Sequence, residues 1–151
     1  MRFLTILLVF ISFLTAEQVQ INADHFEADE KKMISILKGH VLLKKGADEV
    51  HAQKLTVFFD KKNRPTEYLA TGKITFVIHT NNQSFEGHAQ KLGYNPKTGK
   101  YEMSGNAFIH DKKLGRKLYG ESIMIDRISG KSTINGSKKR PVKFIFEVKE
   151  Q

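Results

Sequence analysis

A glycine returns at an almost constant interval through this chain, and that return limits its fold more than any other feature. Gly39, Gly72, Gly105 and Gly136 stand 33, 33 and 31 residues apart. A second mark runs in step with them. Ala23, Ala52, Ala89 and Gly120 are each followed, three and five places on, by Phe26 and Ala28, Leu55 and Val57, Leu92 and Tyr94, or Ile123 and Ile125. Each run then meets Asp29, Asp60, Asn95 or Asp126, which open polar turns built from residues that favour tight reversals. Several registers agreeing at a period near thirty mark a repeat architecture, in which a unit buries its apolar face only against its neighbours.

Inside the repeat the pattern is that of strands. Val41 and Leu43, then Ile74, Phe76 and Ile78, then Ala107 and Ile109 alternate with polar residues and are aligned by their glycines, so every copy presents one apolar face. The segments before the glycines, Met33 to Leu37, Glu67 to Ala70, Tyr101 to Ser104 and Ser132 to Asn135, read as short strands. From Ala52 to Leu55 the apolar step is three, an odd step that turns a regular strand over. Its recurrence at Ala89 and Gly120 predicts a built-in β-bulge or corner. Val19 and Ile21 open the domain with a strand, and Val142 to Lys149 closes it with another. Roughly a dozen short strands with turns between them predict an antiparallel all-β body, as an open curled sheet, a jelly roll or a sandwich. Its end repeats are left with unsatisfied edges.

Ahead of this body, Arg2 precedes the apolar run Phe3 to Leu14 and then Thr15 and Ala16. Such a run is shorter than the roughly 20 residues of a membrane-spanning helix, and the pattern predicts an export leader over 1–16, cleaved after Ala16. Residues 17–151 then form one domain. With no Cys, disulfides, thiolate metal sites and a Cys nucleophile are excluded. Six His include the repeated His51-Ala52-Gln53-Lys54 and His88-Ala89-Gln90-Lys91, but no pair stands at i, i+4 and zinc-type ligation has no spacing motif. Asp24, Glu27, Asp29 and Glu30 lack the calcium-loop pattern, and no nucleophile elbow, phosphate loop or dinucleotide fingerprint occurs. The expectation is therefore no catalytic residue, no metal, no cofactor and no enzyme. The formal charge is +9, and between Asp126 and Glu147 there are six basic residues and no acidic one. Lys138, Lys139 and Arg140 are the candidate anion site there. Lacking Trp and any aromatic-interleaved basic motif, an exported chain of this kind suits an anionic lipid or polysaccharide better than nucleic acid.

The succession Ile21-Asn22-Ala23-Asp24, Leu37-Lys38-Gly39-His40-Val41 and Val50-His51-Ala52-Gln53-Lys54-Leu55, followed by a second copy of the cassette, resembles the OstA-like family of periplasmic proteins over about residues 19 to 148. The resemblance implies a curled antiparallel β-jelly roll of repeated strand pairs, open at both ends, whose interior holds the acyl chains of lipopolysaccharide. It also implies units joined to themselves head to tail, an inner-membrane lipopolysaccharide export complex at one end and an outer-membrane translocon at the other. The second and third cassettes carry Ala-Gln where the family has Ala-Asp, and the fourth carries Gly120-Glu121. On this reading the groove is lined by Val41, Leu43, Leu55, Val57, Ile74, Phe76, Ile78, Leu92, Ile109, Ile123, Ile125, Phe144 and Phe146. The competing expectation is a periplasmic structural or polysaccharide-binding scaffold that carries no lipid.

Overall fold

The computed structural model describes residues 18–80 and 83–149. The leader expected over 1–16 lies outside the described residues. Ten strands form one antiparallel sheet: β1 (Val19–Asn22), β2 (His25–Asp29), β3 (Ile34–Lys45), β4 (Asp48–Phe59), β5 (Pro65–Thr80), β6 (Gln83–Asn95), β7 (Lys100–Asp111), β8 (Arg116–Asp126), β9 (Ser132–Asn135) and β10 (Lys143–Ile145). Strands β3 to β8 pair in sequence order. At one edge β1 and β2 pair with the two halves of β3; at the other, β10 and β9 pair with the two halves of β8. The two edges are not joined, so the sheet curls without closing.

Three of the expected short strands prove to be halves of long ones, because Gly39, Gly72 and Gly105 bend the chain without ending its hydrogen-bonded ladder; the fourth, Ser132–Asn135, stands alone as β9. Between β3 and β4 the register jumps from Lys38 to Val41, with Gly39 and His40 standing against the single residue Gln53. The same two-against-one step recurs at Gly72-Lys73 against Gln90, and at Gly105-Asn106 against Glu121. In each copy the glycine and its successor both have positive φ: 80° and 47°, 84° and 43°, 80° and 50°. Two left-handed residues in a row are strained for most side chains, which is why the first is Gly. The odd apolar step is thus a bulge whose extra residue sits on the glycine-bearing strand.

These bulges fold the sheet into two walls. Tyr68 and Ile78 lie ten residues apart on β5, about 33 Å along a straight strand, yet both line a single cavity of about 200 Å³. Only a strand folded back at Gly72-Lys73 can do this. Every close backbone approach between strands is between hydrogen-bonded neighbours, so the facing walls meet through side chains alone. At the fold lies the core, with Val41, Ala52, Ile74, Ala89, Ala107 and Ile123 all buried. The small Ala residues on β4, β6 and β7 let the walls converge there. At the opposite tips the polar turns form as the sequence predicts. Asp60 Oδ1 accepts from the Lys62 and Arg64 amides, and Asn95 Oδ1 and Asp126 Oδ1 cap their own turns from two amides each.

Two sequence expectations are corrected, at Met33 and at the closing strand. Met33 belongs to the turn before β3, with φ 54°. Phe26 is 61% exposed because β2 is an edge segment on β3 and no other described strand pairs with it. The closing strand covers only Lys143–Ile145, not Val142 to Lys149. Its partner β8 begins at Arg116, so past Ile145, which faces Lys117, the ladder runs out into the turn around Gly115.

Candidate functional site

Between the walls runs an apolar trough. Its larger part, about 620 Å³, is bounded by Phe76, Ile78, Phe85, Met103, Ile109 and Leu118, with Ile123, Ile125, Ile134 and Phe144 closing one side. Its smaller part, about 200 Å³, has Leu43, Val50, Leu55, Ala70 and Leu92 as its floor. Ile78 and Tyr101 line both, so the two parts adjoin along one interior. Alternation along each strand puts these side chains on the inner face and sends Thr75, Val77, His88 and Phe108 outward. On the outer face His88, Phe108 and Tyr119 form a cross-strand row with ring centroids 5.2 Å and 4.6 Å apart.

The expected groove residues divide into three groups. Leu43, Leu55, Phe76, Ile78, Leu92, Ile109, Ile123, Ile125 and Phe144 line the trough. Val41, Val57 and Ile74 face the same way but are sealed in the core at its base, Ile74 with no exposed surface at all. Phe146 lies beyond β10, 55% exposed, and lines neither part. Lys138, Lys139 and Arg140 are exposed in the bend between β9 and β10, where Ser137 N–H donates to the Arg140 carbonyl. Arg140 stands 3.6 Å from Glu121, an exposed pair of little energetic weight.

Sequence reasoning missed the polar members of the trough. Tyr68, Tyr94 and Tyr101 face inward in register on β5, β6 and β7. Burial pushes the Tyr68 and Tyr101 phenols above their ordinary range, the neighbouring Tyr94 adds to this, and Lys45 opposes it in both. Asp111, 3% exposed, sits at the tip of β7, where Arg116 Nη2 donates to it at 2.7 Å and the Leu114 amide at 3.2 Å. Burial alone would raise the Asp111 carboxyl; the Arg116 bond and the turn amides outweigh it and hold the group lowered. The period-two pattern already placed the tyrosines inside, but apolar alignment alone gave no reason to count them. Among the described residues no group of three or more His, Asp or Glu is disposed to hold a metal ion.

An open, curled antiparallel sheet wrapped around an apolar trough defines a jelly-roll module. Residues 20–131 match the family model of the LptA/(LptD N-terminal domain) lipopolysaccharide transport proteins, and the chain belongs to that family. Among solved structures it is similar to the crystal structure of LptH, described as the LptA-homologous periplasmic component of the conserved lipopolysaccharide transport device from Pseudomonas aeruginosa. The TM-score is 0.75, over 87% of this chain and 96% of that one, at 14% sequence identity, a likeness of fold. No curated protein sequence matches the chain.

Proposed function

We propose that this chain is a periplasmic carrier that shelters the acyl chains of lipopolysaccharide in its trough and passes them between copies joined head to tail. The line of copies runs from an inner-membrane export complex to an outer-membrane translocon. One observation carries the reading: the two adjoining cavities form a continuous apolar interior in a sheet whose ends stay open. Sheltering a methylene is worth about 0.8 kcal/mol, so five to ten of them give about 4–8 kcal/mol, millimolar to micromolar holding. That range suits a carrier, which must also release. The unpaired outer sides of β1 with β2, and of β9 with β10, supply the edges by which strand addition extends the sheet from one copy to the next. Export over the leader at 1–16 delivers the chain to the compartment where this happens.

The test is recovery of lipopolysaccharide with the protein purified from cells that make it, compared with the same protein after denaturation and refolding. A carrier returns with bound lipopolysaccharide and rebinds it after refolding. A structural or polysaccharide-binding scaffold returns without acylated lipid, and that result overturns the proposal.

A further inference from the structure

The two parts of the trough, about 200 Å³ and about 620 Å³, share two lining residues, Ile78 and Tyr101. These come from opposite walls. Ile78 lies on the far half of β5, in the wall that carries Phe76 and Phe85, while Tyr101 stands in register with Tyr94 and Tyr68 in the facing wall. The smaller part extends from this point toward Val19 and Leu43 at one edge of the sheet. The larger part extends the other way, to Ile134 and Phe144 at the opposite edge. An acyl chain that moves from edge to edge therefore passes between Ile78 and Tyr101.

The two sides of this passage differ in how freely they move. Branching at Cβ restricts the Ile78 side chain about χ1. Its strand is tied down beside it, where the His79 N–H donates to Asp48 Oδ1 at 2.6 Å, and Phe85 faces it from β6. Tyr101 is a longer side chain hinged at χ1, and its ring stacks on Tyr94 with centroids 4.3 Å apart and 23° between the planes. Such a contact is weak enough to break and re-form thermally, and side-chain rotation is fast beside the movement of a lipid. On its other side Tyr101 meets Ile125, a lining residue of the larger part, so a ring that leaves Tyr94 still has an apolar neighbour.

Resting on the carrier reading, we propose that Ile78 and Tyr101 form a gate inside the trough, with Ile78 as the fixed post and the Tyr101 ring as the moving leaf. While the ring is stacked on Tyr94 it narrows the passage and keeps acyl chains in the part they occupy. When it swings off Tyr94 the chains cross. The gate sets how fast lipid enters and leaves, whereas the floor and walls of both parts set how tightly it is held. Its signature is kinetic: opening the gate speeds uptake and release together, while loss of an ordinary wall contact speeds release alone and weakens binding by the same factor.

Three quantities measured on purified protein decide it: the rate of uptake of fluorescently labelled lipopolysaccharide from micelles, the rate of its transfer to wild-type acceptor protein, and the equilibrium Kd. The variants are Tyr101→Ala and Ile78→Ala, which open the passage from either wall, Tyr101→Phe, which keeps the ring and its stack, and Leu118→Ala, a wall contact away from the passage. Tyr101→Ala and Ile78→Ala should each raise uptake and transfer together, roughly threefold to tenfold, the scale of one aromatic contact that no longer has to break. Tyr101→Phe should match wild type. Leu118→Ala should speed transfer only as far as it weakens Kd, with uptake unchanged. Uptake at the wild-type rate in both Tyr101→Ala and Ile78→Ala overturns the gate while the carrier reading stands. A Tyr101→Phe protein as fast as Tyr101→Ala overturns the part given to the ring. Wild-type protein that binds no lipopolysaccharide overturns the carrier reading itself.

Discussion

Replacing Gly72 by Ala tests whether the bulge, and with it the two-walled trough, depends on backbone conformation and close packing together. Gly72 has φ 84°, and a Cβ built there meets Gln53, whose own Cβ would lie 2.8 Å away. Gly46, in the β3–β4 turn, has φ 60° and nothing within 4 Å of an added Cβ. Gly46→Ala therefore carries only the left-handed penalty, about 1–2 kcal/mol. Gly72→Ala carries that penalty and an overpacking cost of about 1–3 kcal/mol more, giving about 2–5 kcal/mol in all. Gln53→Gly removes the obstructing atoms. In that background Gly72→Ala should fall back to about 1–2 kcal/mol, a coupling of about 1–3 kcal/mol between two residues on adjacent strands. Denaturant unfolding of the four proteins of this cycle, with Gly46→Ala beside them, measures each term. If Gly72→Ala costs the same with and without Gln53, or no more than Gly46→Ala, the close approach does not shape the bulge.

Three further outcomes follow from particular residues. His40 donates to Asp24 at 2.7 Å, and that bond raises the imidazole above its ordinary 6.5. Its stabilisation is complete below pH 6.5 and fades as pH rises through the higher folded value, so His40→Gln should flatten the stability profile above about pH 6.5 in denaturant titrations. Asp60 is held below 3.8 first by the Arg64 amide. Its contribution is present above 3.8 and lost as pH falls through the folded value, so Asp60→Asn should flatten the acid limb of the same profile. Removing residues 142–151 deletes β10 and the exposed Val142, Phe144, Ile145, Phe146 and Val148. Light scattering should then show monomers where the intact chain grows in mass with concentration; extended oligomers of the shortened protein would place the joint elsewhere.

The sequence made the repeat, the inner face and the tip turns legible because each rests on local chemistry: period-two alternation, Gly at the left-handed positions, Asp or Asn at the turns. What it concealed depends on neighbours. That Glu67 to Ala70 and Ile74 to Ile78 are one strand and not two follows from hydrogen bonds to β4 and β6 resuming on both sides of Gly72. That Val142 to Lys149 yields only a three-residue strand follows from where β8 ends, which the alternation of that segment does not encode. The depth of each inner residue was hidden for the same reason. Ile74 and Ile78 share a face, but Ile74 is sealed at the fold while Ile78 stands between the two parts of the trough. The tyrosine row was visible as inward positions only, since its gathering with Lys45 around one cavity requires the opposite wall to come across.

The most direct measurement is photo-cross-linking in living cells that make lipopolysaccharide, with a photoreactive side chain placed singly at Ile78 or Leu118 inside the trough. Val77 and Lys117, their outward-facing neighbours on β5 and β8, provide the comparison. Adducts with lipopolysaccharide at Ile78 and Leu118 and none at Val77 and Lys117 are the predicted result. Equal labelling of both faces, or no adduct at any of the four, contradicts the carrier account.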